Sequence, residues 1–111
     1  VLPDDKELLR GKCIIAIGSY MPEMREIPDA VLDLVDNVYI ELPYACEESG
    51  DLSQPLASGK LTKDRIKLMH EYLVSGEKEI KEGQTTYFKS VGMGLFDVCI
   101  AQKLYEVAKE K

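Results

Sequence analysis

The chain has 111 residues, 31% of them charged, and a net charge of −6 at neutral pH. This acidic balance argues against nucleic acid or an anionic membrane surface as a partner. No apolar run approaches the roughly 20 residues that span a bilayer. The three cysteines, Cys13, Cys46 and Cys99, are widely spaced and form neither a disulfide pattern nor a metal-ligand pattern. These features predict one cytoplasmic domain at most, with a modest core and no metal site.

The first predicted elements are a short helix and a strand. Asp4 to Gly11 favours the helix, because its acidic residues lie at the amino end and a glycine closes it. Cys13 to Ile17 is an unbroken apolar run, typical of a strand covered on both faces in a parallel sheet. Ligands of open α/β sheets bind at the carboxyl ends of strands, so Gly18 to Met21 is a candidate site. The alternative interpretation is a plain glycine turn.

The next segment predicts a helix followed by a second strand. Ile27-Pro28-Asp29 suits the first turn of a helix, because proline is preorganised there and aspartate complements the dipole. Asp36-Asn37 ends this helix, and Val38 to Leu42 follows as a strand closed by Pro43. Strand, helix and strand make a right-handed βαβ unit, which implies parallel pairing.

The middle of the chain predicts further helices. Ala45 to Leu52 is expected to be helical, and Gln54 to Ala57 is a further helical turn before Ser58-Gly59 breaks the chain. Thr62 is a suitable cap for a helix that runs to Gly76, with Leu61 and Ile66 as a hydrophobic staple.

The last third predicts a loop, a strand and a long helix. Glu77 to Gln84 is a charged loop, and Thr85 to Lys89 is rich in strand formers. Ser90-Val91-Gly92 turns this strand into a helix from Met93 to about Lys109. Its apolar residues recur at helical spacing: Phe96, Ile100, Leu104 and Val107.

Two motifs stand in the chain at a plausible separation: Gly18 to Glu26 (GSYMPEMRE) and Phe88 to Asp97 (FKSVGMGLFD). In this order they resemble the ornithine cyclodeaminase/mu-crystallin family of NAD(P)-binding proteins. Glu48 to Leu52 (ESGDL) and the apolar run ending at Gly76 are also similar to the family. The resemblance therefore covers nearly the whole chain.

The resemblance implies an α/β fold: a partial Rossmann-like, three-layer domain with a short, mostly parallel sheet and flanking helices. Residues 1–111 would be the carboxyl-terminal half of the NAD(P)-binding domain plus the closing helix. The sequence begins with Val1-Leu2-Pro3 and has no initial methionine, which also favours a piece of a longer protein. The family's phosphate loop, and the lysine and arginine that hold the substrate carboxylate, would lie upstream. The isolated chain is then expected to bind NAD(P) weakly or not at all.

The resemblance also implies roles for several residues. Gly18 and Ser19 would contact the cofactor, and Ser90, Val91 and Gly92 would back its nicotinamide end and the neighbouring substrate pocket. A close-packed strand-to-helix turn is the alternative for this second group. Gly92-Met93-Gly94 is not a dinucleotide fingerprint, because Asp97 stands where the third glycine is required.

The resemblance makes Tyr20 the candidate catalytic position, because cyclodeaminases have an aspartate at that place, and Tyr20 is therefore the main departure from the family pattern. Tyrosine at neutral pH is a hydrogen-bond donor or a neutral wall, not a general base. The departure argues against ornithine deamination. It leaves reduction of cyclic imines, oxidation of amino acids by hydride transfer, or a non-catalytic NADP-dependent binding role like that of mu-crystallin.

Other charged residues have structural interpretations. Glu23, Arg25 and Glu26 favour ion pairing at a helix start, with an active-site role for Arg25 as the alternative. His70 has no second ligand at metal spacing and reads as an ordinary helix residue. The choice between NAD and NADP depends on a residue about 20 positions beyond the phosphate loop. The expected partners are a small amino or imino acid, the missing amino-terminal part of the protein and further copies in a homo-oligomer.

Overall fold

The computed structural model describes residues 1–76 and 80–111. The helices within these ranges are α1 (Lys6–Leu9), α2 (Asp29–Leu34), α3 (Ala45–Glu48), α4 (Gly50–Ser58), α5 (Met69–Ser75) and α6 (Gly94–Lys109). The strands are β1 (Cys13–Ala16), β2 (Val38–Ile40), β3 (Ile66–Leu68) and β4 (Thr86–Lys89), and a 3₁₀ turn covers Lys63–Arg65. No described helix is long and apolar enough to cross a membrane.

The strands form one parallel sheet in the order β1-β4-β2-β3, flanked by helices. The α/β class predicted from the sequence is confirmed. The pairing inferred for the βαβ unit is only partly right, because β1 and β2 are parallel but do not touch. β4 lies between them and pairs with both, Ile14 and Val38 each standing opposite Tyr87.

One face of the sheet carries the core. Ile14, Ala16, Val38, Ile40 and Tyr87 point to this face and are buried together with the apolar residues of the surrounding helices. The helical and loop contributions are Leu9, Ile27, Ala30, Val31, Leu32, Val35, Ala45, Leu52 and Leu61.

The opposite face is covered over only part of the sheet. Tyr39 is buried there against Tyr72 of α5, with ring centroids 5.2 Å apart in an edge-to-face arrangement. Ile15 and Ile17, by contrast, are 64% and 72% exposed. The prediction that the first strand is covered on both faces is therefore wrong for this chain. Among the described residues no helix lies over that end of the sheet, so the three-layer arrangement is limited to the α5 side.

The predicted helix from Thr62 to Gly76 is wrong over its first half. Ile66–Leu68 forms β3 and pairs with Val38–Ile40, and the helix begins only at Met69. The Arg65 guanidinium fixes this path, because its Nη2 donates to the carbonyls of Leu32 and Val35, at 2.7 Å each, at the carboxyl end of α2.

The helix predicted from Ala45 to Leu52 is two helices. Ser49 adopts an extended conformation between α3 and α4, and its hydroxyl accepts a hydrogen bond from Asp51 N to cap α4. The break at Ser58-Gly59 is confirmed, since Gly59 is left-handed (φ 79°).

The remaining elements agree with their predictions. α1 lies within Asp4 to Gly11 and is capped by Asp5, β4 lies within Thr85 to Lys89, and α6 matches the last predicted helix. Of the charged loop predicted from Glu77 to Gln84, residues 77–79 lie outside the described part.

Candidate functional site

The two sequence motifs meet at one edge of the sheet. β1 and β4 are neighbours in parallel, and the amide of Ser90 donates to the carbonyl of Ala16 at 3.0 Å. Gly18 and Ser19 therefore follow β1 at the edge where Ser90, Val91 and Gly92 follow β4. Every residue predicted for cofactor contact lies at these two adjacent strand ends.

The turn after β1 is organised by Glu26. Its Oε2 accepts hydrogen bonds from the amides of Gly18 (2.7 Å) and Ser19 (3.1 Å). A Cβ at position 18 would collide with this carboxylate, so a larger residue there requires the Glu26 side chain to move. The glutamate thus holds the backbone in the path that the motif requires.

Ser19 is buried, and its hydroxyl makes hydrogen bonds within the protein. Its side chain is 1% exposed, its hydroxyl donates to the carbonyl of Met24 at 2.5 Å, and it lies 2.8 Å from the hydroxyl of Ser49. The hydroxyl joins the turn after β1 to the amino end of α4.

Asp51 and Lys89 form a fully buried ion pair beneath this turn. Asp51 Oδ1 accepts from the amides of Glu26 (2.7 Å) and Ile27 (2.9 Å), and Oδ2 lies 3.2 Å from Lys89 Nζ. The contact is ionic and lacks hydrogen-bond geometry. The hydroxyl of Tyr87 is also buried without a partner among the described residues. Burial, reinforced by the charges of Asp51 and Glu26, raises the Tyr87 pKa far above its ordinary value.

The turn after β4 is held by residues that follow β2. Glu41 Oε1 accepts from the hydroxyl of Ser90 (3.0 Å) and the amide of Val91 (2.7 Å). The Tyr44 hydroxyl donates to the carbonyl of Gly92 at 2.7 Å. Gly92 has a φ of 88°, a conformation that favours glycine, and its amide donates to the hydroxyl of Ser90.

Tyr20 and Arg25 lie in different surroundings. Tyr20 is 59% exposed on the turn after β1. Arg25 forms an ion pair with Asp29 at the start of α2 and donates from Nε to the carbonyl of Ile27. Of the two interpretations of Arg25, ion pairing at a helix start and an active-site role, this contact agrees with the first. His70 is exposed on α5.

The sequence interpretation missed Glu41, Tyr44 and the partnership of Asp51 with Lys89. Glu41 could have been found, because it directly follows the apolar strand β2 at the edge where Gly18 follows β1. Burial of Lys89 has no local signal, since a lysine in a strand ordinarily faces solvent.

Metal-ligating residues do not converge in the described ranges. No group of three or more histidine, cysteine, aspartate or glutamate residues there could hold a metal ion. Cys13, Cys46 and Cys99 are free thiols, and burial raises the pKa of Cys46.

Comparisons with known proteins found a matching family model and several relatives. The model of the ornithine cyclodeaminase/mu-crystallin family matches residues 4–111. A Δ(1)-pyrroline-2-carboxylate reductase of Bacillus cereus is 36% identical over 109 residues, which are 96% of this chain and 34% of the relative. Protein SAR DEFICIENT 4 of Arabidopsis thaliana is 32% identical over 98 residues, 86% of this chain and 30% of the relative. The chain thus spans about a third of the length of these relatives.

Solved structures share the fold. A probable ornithine cyclodeaminase of Bordetella pertussis superposes with a TM-score of 0.75 at 28% identity, over 92% of this chain and 33% of that one. A Δ(1)-pyrroline-2-carboxylate reductase of Thermococcus litoralis, solved with NADH and L-proline, gives a TM-score of 0.75 at 24% identity, over 91% and 32%. The sheet and its flanking helices therefore correspond to about a third of each of these structures.

Proposed function

The chain belongs to the ornithine cyclodeaminase/mu-crystallin family, and on that premise we propose that it forms the nicotinamide-side wall of a cofactor pocket. The protein would be an NAD(P)-dependent oxidoreductase that acts on a small imino or amino acid. The observation that carries the proposal is the meeting of the two motifs at adjacent carboxyl ends of β1 and β4. In open α/β sheets ligands bind at such strand ends.

The residues at this edge suit a flat ring that carries a polar amide. Gly18 and Gly92 expose backbone, and Val91 adds a partly exposed apolar side chain. A cofactor pocket of this kind needs an apolar wall with a few fixed polar groups. Ser19 and Ser90 contribute by holding the two turns, because their hydroxyls are bonded within the protein.

The chemistry divides between cofactor and protein. A bound NAD(P) would supply hydride-transfer chemistry between its nicotinamide and the substrate Cα. This chain's residues orient the ring and exclude water from one side of it. Tyr20 would line the substrate side as a hydrogen-bond donor or a neutral wall. Reduction of a cyclic imine is favoured over ornithine deamination because Tyr20 replaces the aspartate and four relatives bear the name of Δ(1)-pyrroline-2-carboxylate reductase.

The remaining part of the protein would complete the pocket. We propose that it brings the phosphate loop and covers the open end of the sheet at Ile15 and Ile17. The relatives are about three times as long as this chain, which supports the idea. A homo-oligomer of the whole protein belongs to the same proposal.

The test is a titration of NADH and NADPH into the full-length protein and into residues 1–111, followed by nicotinamide fluorescence. Binding by the full-length protein and weak or no binding by the short chain is expected. Micromolar affinity of the short chain would contradict the split site, and no binding by either would overturn the dinucleotide proposal.

Turnover assays then distinguish imine reduction from ornithine deamination and from a binding role. We expect the full-length protein to reduce Δ(1)-pyrroline-2-carboxylate and not to deaminate ornithine. Tyr20→Ala should raise the KM for the imine without changing the dinucleotide Kd, with Tyr105→Ala as the control at another exposed tyrosine. Dinucleotide binding without turnover of either compound would instead support a binding protein like mu-crystallin.

A further inference from the structure

Glu41 is a buried carboxylate with no role in the function proposed so far. It is 6% exposed, directly after β2. Both hydrogen bonds it accepts arrive at Oε1, from Ser90 and Val91, while Oε2 has no partner among the described residues. Burying a carboxylate is unfavourable unless its bonds compensate for lost water. Both compensating bonds come from the turn after β4.

Tyr44 acts on the other end of the same turn. Its hydroxyl donates to the carbonyl of Gly92, 2.7 Å away. Partial burial, reinforced by the charges of Glu41 and Glu48, raises the Tyr44 pKa and so preserves the proton that makes this bond. The segment after β2 therefore binds the turn at both ends. Glu41 accepts from the Ser90 hydroxyl and the Val91 amide at its start, and Tyr44 donates to the Gly92 carbonyl at its end.

We propose that Glu41 and Tyr44 form a clamp that positions the Ser90–Val91–Gly92 turn for the dinucleotide. They are positioning residues, since they act through the turn rather than on the cofactor, and the inference rests on the function proposed above. A turn with a left-handed glycine has alternative backbone paths, and a displacement of about 1 Å at a cofactor wall lowers affinity and rate. The clamp selects one of these paths before the cofactor arrives.

Three variants separate the hydrogen bonds of the clamp from the negative charge of Glu41. Glu41→Gln keeps an oxygen for the Ser90 hydroxyl and the Val91 amide, and its new amide group takes the place of the unpartnered Oε2. Glu41→Ala removes both bonds, and Tyr44→Phe removes the third. Asp4→Ala is the control, because Asp4 also accepts a backbone amide, but from Ala30 on α2 rather than from the turn after β4.

The experiment measures hydrogen exchange of peptides spanning Ser90 to Gly92 in the full-length protein without cofactor. It is combined with the dinucleotide Kd, and with KM and kcat. Glu41→Ala should speed exchange of the Val91 amide by about tenfold or more and weaken dinucleotide binding, with a rise in KM. Glu41→Gln should restore both, and Asp4→Ala should change neither.

The outcomes separate the clamp from the proposed function. Unchanged exchange in Glu41→Ala would overturn the clamp whatever the protein binds. Faster exchange with an unaltered dinucleotide Kd would overturn its role in the cofactor site. If the wild-type protein binds no dinucleotide, the proposed function fails, and exchange alone still decides whether the clamp holds the turn.

Discussion

At the scale of single residues, the Asp51 carboxylate connects the turn after β1 to β4 through three contacts. One oxygen accepts two backbone amides from the turn after β1, and the other lies 3.2 Å from Lys89 on β4. Neither side chain is exposed to solvent. The pair therefore links the two strand ends that form the candidate site, and losing one member leaves a buried charge.

Lys89→Met should lower the free energy of unfolding by about 3 kcal/mol, because it leaves the Asp51 carboxylate buried without its counter-ion. Urea unfolding measures the change. The double variant Lys89→Met/Asp51→Asn should recover part of the loss, since asparagine keeps an oxygen for the amides of Glu26 and Ile27. A neutral effect of Lys89→Met would show that the ion pair does not contribute.

Asp33 makes stability depend on acid pH. Hydrogen bonds from Lys6 and Lys60 hold its pKa at about 2, below the ordinary 3.8. Because the folded pKa is depressed, the stabilisation is present above pH 3.8 and is lost as the pH falls towards 2.

Asp33→Asn should therefore flatten the fall of the urea midpoint between about pH 4 and 2. The loss at neutral pH should be no more than about 1 kcal/mol, because the pair is partly exposed and screened. Glu82→Gln is the control in an exposed loop. If the urea midpoint of Asp33→Asn fell with acid pH as steeply as that of the wild type, Asp33 would not be the source of this pH dependence.

At the residue scale, the two halves of the candidate site came from different arguments. Gly18 to Met21 was a candidate because it follows an apolar strand, whereas the Ser90–Gly92 turn was implied by the resemblance; the pairing of β1 with β4 places both at one edge of the sheet. Glu41 and Tyr44 were not found. The place of Glu41 at the carboxyl end of β2 could have been read from the sequence, but the contacts of both residues with the turn depend on β4 lying beside β2. The cofactor contacts assigned to Gly18, Ser19, Ser90, Val91 and Gly92, and the role of Tyr20, stay predictions.

At the scale of elements, the amino end of α4 packs directly against the turn after β1. The amide of Gly50 donates to the carbonyl of Met21 at 3.0 Å, and Gln54 donates to the carbonyl of Pro22 at 2.9 Å. A Cβ on Gly50 would lie 2.5 Å from the Pro22 carbonyl oxygen and against that of Met24. No side chain fits between this helix and the turn.

Gly50→Ala should therefore destabilise the protein by about 2 kcal/mol, because backbone must shift to admit the methyl group. Gly94→Ala is the matched control at the first residue of α6, where an added Cβ meets nothing within 4 Å. It should be neutral or slightly stabilising. Thermal unfolding compares the two, and equal melting temperatures would contradict the tight approach of α4.

The elements themselves were predictable where they were long or strongly patterned. α6 has a clear helical period, and β1 and β4 are rich in strand formers. β3 was missed because Ile66-Lys67-Leu68 is too short to distinguish a strand from a helix by its period. Its pairing with β2 and the contacts of Arg65 with the end of α2 decide the matter, and both depend on residues distant in sequence.

At the scale of the whole molecule, α6 projects from the domain. None of its residues is buried, and its apolar residues Ile100 and Leu104 are more than half exposed. The open end of the sheet at Ile15 and Ile17 adds further apolar surface. Such surfaces associate in water unless something covers them.

Residues 1–111 alone should therefore form dimers or larger species, measured by analytical ultracentrifugation. Ile100→Lys/Leu104→Lys should shift the chain towards monomer, because lysines disfavour burial of the helix face. Lys103→Glu, on the same helix, is the control and should leave association unchanged. A wild-type chain that sediments as a monomer would contradict this expectation.

The strand order also dictates when the sheet can be completed. Among the described strands, β4 comes last in the chain, yet it occupies an interior place between β1 and β2. Within the described part of the chain, the pairing of β1 with β4 can form only after the segments between them have been made. Native contacts at the centre of the sheet thus join segments far apart in sequence, a topology that slows folding. The candidate site therefore depends on a contact between distant segments, because the turn after β4 must reach the turn after β1.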